Sequence, residues 1–185
     1  LQTKLLEINL KHSPADVAER IFALPYITEY DPVTIAPLCE RAGLFQRALE
    51  CYQRIQVESH YERNMMTNIK RCIASAAASV PLEWLVDFVG KLRCEDMLDC
   101  VKELMKNHKA NFKAIVQIAV KYNDAIGSQA LIKLFLEPRA FDVLYYYLGA
   151  VVGYSRDAEL HFRYIEAACE VNQIAEVERM TRESP

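Results

Sequence analysis

Between residues 35 and 55 the chain reads IAPLCERAGLFQRALECYQRI, and its apolar positions fall into two stripes. Ile35, Leu38, Cys39 and Ala42 form the first, and Leu44, Phe45, Ala48, Leu49, Tyr52 and Ile55 the second. Both follow the i, i+3, i+4, i+7 spacing of an amphipathic helix. Gly43, between them, can adopt the left-handed conformation that ends a helix, so the spacing predicts two short antiparallel helices meeting at a tight corner. The corner has an echo at Asn172, where NQIAEVER stands beside GLFQRALE, with Ile174 on Phe45 and Val177 on Ala48. Asn tolerates the left-handed region next best after Gly.

The same period runs along the rest of the chain. Residues 1–11 read as the tail of a helix, with Leu5, Leu6, Ile8 and Leu10. Ser13-Pro14 predicts a cap and a proline in the first turn of a helix through Val17, Ala18, Ile21 and Phe22, which Pro25 stops. Asp31-Pro32 starts the next in the same way, with Pro37 as a possible bend. Residues 56–68, QVESHYERNMMTN, lose the pattern and read either as a helix with a solvated face or as a loop. After the small-residue run IKRCIASAAAS, Pro81 restarts the chain. Trp84, Leu85, Phe88, Val89 and Leu92 then predict a helix paired as a hairpin with that of Met97, Leu98, Val101, Leu104 and Met105.

Phe112, Ile115, Val116, Ala119 and Tyr122 form a further stripe, and Ser128 is the expected cap of a short helix of Leu131, Leu134 and Phe135 that Pro138 closes or kinks. FDVLYYYLGAVVGY, residues 141–154, is rich in aromatic and β-branched residues. A strand is the alternative there, whereas a helix covered on both sides needs no missing strand partner. Asp157 opens the following helix, and the Asn172 corner leads into the last, residues 174–182. The total is about ten short antiparallel helices, an all-α chain. None buries enough apolar surface alone to offset the entropy of ordering it, so each needs neighbours. An α-solenoid supplies them in sequence order; a compact bundle satisfies the same condition.

Composition narrows the function. The 185 residues are 52% hydrophobic, with five Gly and seven Pro, which favours helix over sheet. A net charge of −3 without a basic block argues against nucleic acid as a partner. The longest uncharged run, residues 143–155, is too short to cross a bilayer, so direct membrane insertion is not expected. Cys39, Cys51, Cys72, Cys94, Cys100 and Cys169 sit in apolar helical patterns without metal-ligand spacing and read as buried thiols of a reducing, cytoplasmic compartment. His12, His60, His108 and His161 lie far apart; no HExxH or Glu-x-x-His motif occurs, and the glycines never cluster into a phosphate loop. His161 beside Phe162 reads as a packing-edge residue. Tyr145-Tyr146-Tyr147 must point three ways from a helix and reads as core and groove packing. No catalytic, cofactor-binding or metal residue is assigned, and no cofactor is expected.

LCERAGLFQRALECY (38–52), PLEWLVDFVGKL (81–92), YYYLGAVVGYSRDAELHFRYIEAAC (145–169) and EVERMTRES (176–184) closely resemble the clathrin heavy chain family, in the family's order and spacing. Residues 56–68 are longer than its pattern, and Asn172 stands where it carries glycine. The resemblance implies an α-solenoid of heavy-chain repeats of roughly 145 residues. It places this chain in the ankle to distal leg, as a piece of something longer, with one repeat ending near residue 60 and another continuing over 61–185. The implied role is structural and non-enzymatic: a triskelion leg in the lattice of coated pits and vesicles, on the cytoplasmic face of the membrane. Other heavy chains are the implied partners, with light chain, adaptors and uncoating factors implied for the whole protein. Two rival classes remain: a vesicle-tethering solenoid scaffold of the vacuolar type, and a helical-bundle enzyme.

Overall fold

The computed structural model describes residues 1–58 and 62–183. Its described residues form thirteen α-helices and no strand. They divide into two compact units, Leu1–Pro81 and Leu82–Pro185.

The first unit comprises α1 (Gln2–His12), α2 (Ala15–Phe22), α3 (Pro32–Arg41), α4 (Phe45–Glu58) and α5 (Glu62–Ala76). α1 packs on α2 and α3, α3 on α4, and α4 on α5. Asp31 caps α3 by accepting hydrogen bonds from the Val33 and Thr34 amides, with Pro32 in the first turn. Pro37 lies within this helix on its exposed side. Ser13 does not cap α2: Pro14 occupies that position and the Ser13 hydroxyl turns back to Asn9 on α1. A serine that ends one helix is held by that helix and is lost to the next. The stretch 56–68 is helical to Glu58 and again from Glu62, and residues 59–61 of that expectation lie outside the described residues.

The second unit holds α6 (Leu82–Val89), α7 (Cys94–Met105), α8 (His108–Lys121), the single turn α9 (Asn123–Ile126), α10 (Ser128–Leu136), α11 (Phe141–Val151), a 3-10 turn (Val152–Tyr154), α12 (Ala158–Glu170) and α13 (Ile174–Glu183). The aromatic stretch is helical, so the strand reading falls: α8, α10 and α12 all pack on α11, whose Val143, Leu144, Tyr147 and Leu148 are buried while Tyr146 stays exposed. The expected α6/α7 hairpin is replaced by a different pairing, in which both helices pack chiefly on α8. Gly90 explains part of this. A Cβ there would lie 2.0 Å from the Tyr122 hydroxyl, so the missing side chain admits the end of α8 against the end of α6. Ser128 lies inside the first turn of α10 and caps nothing; Gly127 precedes it.

The cores follow the predicted stripes. Ile35, Cys39, Ala48 and Leu49 of the predicted stripes are fully buried in the first unit, and Leu85, Leu104 and Ile115 in the second; Ile69, Ile73, Phe135, Val143 and Ala167 are fully buried as well. Along α3–α4–α5 and α11–α12–α13 each helix rests on the one adjacent in sequence, which is the local packing of an α-solenoid.

Candidate interaction surface

Three corners share one backbone design. After α3, Gly43 has φ +76°, its amide donates to the Glu40 carbonyl at 3.1 Å and the Leu44 amide to Cys39 at 2.9 Å. After α12, Asn172 has φ +61°, donating to Cys169 at 3.1 Å while Gln173 donates to Ala168 at 2.8 Å. These paired bonds satisfy carbonyls that a helix end would otherwise leave open. A third copy follows α10: Arg139 has φ +56°, donating to Leu136 at 3.0 Å, and Ala140 donates to Phe135 at 2.9 Å. Sequence reasoning missed it because arginine is disfavoured in the left-handed region. The available signal was the register: Phe45, Phe141 and Ile174 each open a helix two residues after the left-handed position.

Ion pairs tie the helices together beyond their apolar stripes. Arg71 on α5 donates to both carboxylate oxygens of Glu40 on α3, at 2.7 and 2.9 Å, and the Tyr52 hydroxyl on α4 donates to the same carboxylate at 2.8 Å. One acid therefore joins three consecutive helices. Arg71 holds the Glu40 carboxyl below the usual carboxylate range, and burial followed by the neighbouring carboxylate pushes the Tyr52 phenol up. Arg47 on α4 makes a second bridge, to Glu19 on α2 at 2.7 Å and Glu50 on its own helix at 3.0 Å. Lys121 on α8 reaches Asp87 on α6 at 2.6 Å.

The residues weighed for chemistry are dispersed. His12, His108 and His161 lie on α1, α8 and α12, and His60 lies outside the described residues. The His161 Nε2 is 2.9 Å from the Ser155 carbonyl, which anchors the start of α12. Tyr147 is fully buried and donates to Asn123 at 2.6 Å; Tyr145 stacks on Tyr164 at 5.4 Å; Tyr146, 57% exposed, meets the Phe112 ring edge-on at 5.3 Å. The Tyr145 and Tyr146 rings also meet edge-on at 5.3 Å, so Tyr145 and Tyr147 pack as expected while Tyr146 stands largely exposed. Four cysteines are buried, but Cys94 and Cys169 are exposed, correcting the expectation of six buried thiols. Cys94 is the first residue of α7, and Cys169 lies off the buried α12 stripe of Leu160, Tyr164, Ala167 and Ala168. A hydrogen bond from Cys39 to Cys51 raises the first thiol's pKa and lowers the second's, and burial pushes Cys72 up to about 12. Among the described residues no three His, Cys, Asp or Glu side chains converge on a metal-sized site, and no buried side-chain nitrogen or oxygen lacks a partner. No described helix is long and apolar enough to cross a membrane.

Three concave features among the described residues are grooves between helices. One, of about 480 Å3, runs between α6 and α8; another of about 480 Å3 lies between α10 and α12; a third of about 200 Å3 sits at the Gly43 corner. Such an arrangement of stacked helices, open grooves and exposed interhelical ion pairs offers surfaces for protein contact.

The family model described as "Region in Clathrin and VPS" matches residues 1–111 and 119–185. Over all 185 residues the chain is 44% identical to the clathrin heavy chain of Drosophila melanogaster, 42% to clathrin heavy chain 2 of Homo sapiens and 43% to the clathrin heavy chain of Dictyostelium discoideum. It spans 10% of the length of each. With nearly every residue inside that match, and with the left-handed corners and sequential helix packing of a repeat array in place, the chain belongs to the family of the clathrin and VPS repeat region.

Proposed function

We propose that this chain is a leg segment of a clathrin heavy chain, a structural part of the coat of vesicles and coated pits, without enzymatic activity. The observation that carries the reading is the similarity over all 185 residues to clathrin heavy chains from an insect, a mammal and an amoeba. The helix packing supports it. Because runs such as α3–α4–α5 and α11–α12–α13 contact their sequence neighbours, a small change in stacking angle at each such corner adds along an array, so a leg is stiff locally and curved over its length. Many weak contacts between such legs give an assembly that holds through multivalency and dissolves when a few are removed.

On this reading the partners are other heavy chains, meeting leg to leg on the cytoplasmic face of the membrane; light chain, adaptors and uncoating factors belong to the whole protein. The segment lies in the ankle to distal leg, with one repeat ending near residue 60. A chimera tests the function: this segment replaces its counterpart in the Drosophila heavy chain, and cage assembly is followed by sedimentation and electron microscopy. Closed polyhedral cages are expected. Chimeric trimers that fold normally but remain unassembled under conditions where the parent forms cages would overturn the proposal.

A further inference from the structure

The groove between α6 and α8 differs in chemistry from the others. Its floor is made by Val86, which is buried, and by Val116 and Val120, which are half-buried. Three β-branched side chains in a row leave a rigid apolar trough, since each is nearly fixed at χ1. Its volume of about 480 Å3 falls within the range of roughly 300–1,000 Å3 over which pockets hold ligands. The α10/α12 groove has the same volume, but its apolar lining is Ile132 and Leu136 amid Lys133, Glu137, Glu159 and Arg163, so water and charge dominate it.

The rim of the α6/α8 groove sets the sign of its partner. At one end Asp87 and Lys121 neutralise each other at 2.6 Å. At the other, one helical turn away on α6, Glu83 is exposed and has no hydrogen-bond or ion-pair partner among the described residues. Lys113, further toward the start of α8, does not line the groove. The trough therefore presents an apolar floor with one net negative charge at its edge.

We propose that this groove is a peptide-docking site. Its occupant is a segment of a partner protein that lays a pair of aliphatic side chains on Val86, Val116 and Val120 and carries a basic residue about one helical turn away, paired with Glu83. The docking energy comes from the aliphatic anchors, and the Glu83 pair selects orientation and rejects acidic segments. The inference rests on this groove and not on the coat reading.

Fluorescence anisotropy on the purified 185-residue chain tests it. The probes are labelled peptides of about twelve residues, each with two adjacent leucines and either Arg or Glu three or four residues further on. Saturable binding of the Arg peptides is expected, with the Glu peptides about tenfold weaker. Glu83→Lys changes an exposed side chain and should leave the helical circular dichroism unchanged while inverting the preference. Val120→Ser should weaken both peptides together, with Glu83 untouched. The proposal is overturned if no Arg peptide saturates below about 1 mM, a limit that already corresponds to very weak association. It is equally overturned if Glu83→Lys leaves the Arg-to-Glu ratio where it was.

Discussion

Replacing Gly43 by Ala isolates the cost of the left-handed corner. Gly43 has φ +76°, and a Cβ built there meets nothing within 4 Å, so the substitution introduces no collision. What remains is backbone: an L-residue in this region costs about 1–2 kcal/mol. Alanine also removes freedom from the unfolded chain, which returns about 0.4–1 kcal/mol. The net expectation is a loss of about 1 kcal/mol. With a urea dependence of about 2 kcal/mol per molar, the midpoint of the transition that reports on this hairpin falls by about 0.5 M. Gly153→Ala is the control, because its Cβ also enters open space while its φ lies outside the left-handed range. It should be neutral or stabilising by up to about 1 kcal/mol. Hydrogen exchange on peptides covering α3 and α4 should quicken in Gly43→Ala and stay unchanged in Gly153→Ala. If the two substitutions have equal effects, the corner does not depend on the left-handed conformation and the reasoning fails.

Three further outcomes follow from the packing. Gly90→Ala drives a methyl into Tyr122, whose hydroxyl lies 2.0 Å from the new carbon, and should cost about 1–3 kcal/mol; Tyr122→Ala in the same chain should recover part of that loss, a non-additivity that a double-mutant cycle measures. Because Arg71 depresses the Glu40 pKa from its ordinary 4.5, the unfolded chain binds the proton more tightly; the clamp's contribution is complete above that value and is lost as pH falls through the lower folded value, so the acid limb of a stability profile should flatten in Glu40→Gln. Brief alkylation of the native chain should label Cys94 and Cys169 only, with Cys39, Cys51, Cys72 and Cys100 reacting at the rate of unfolding, as read by peptide mass spectrometry.

Much of this was legible in one dimension. Helical periodicity located the α3/α4 hairpin, because a stripe at i, i+3, i+4 buries one face whatever lies opposite, and Ile35, Cys39, Ala48 and Leu49 are indeed fully buried. The left-handed turns at Gly43 and Asn172 were readable from the tolerance of those two residue types, and the Asp31 and Asp157 caps from local hydrogen bonding. The run of clathrin-like blocks carried the family. Tertiary structure decided the rest. Pairing is a property of two surfaces, so periodicity could not tell that α6 and α7 both turn to α8 and not chiefly to each other. Tyr122 seated on Gly90 is a contact between residues 32 positions apart, and the Glu40–Tyr52–Arg71 clamp joins three helices with no sequence spacing to announce it. Arg139 holds a left-handed backbone against its own preference, because the carbonyls of Phe135 and Leu136 must be met before α11 can begin. The valine floor of the α6/α8 groove and its Glu83, unpaired among the described residues, arise in the same way: their residues are ordinary on each helix, and acquire a chemical character only when the two helices stand side by side.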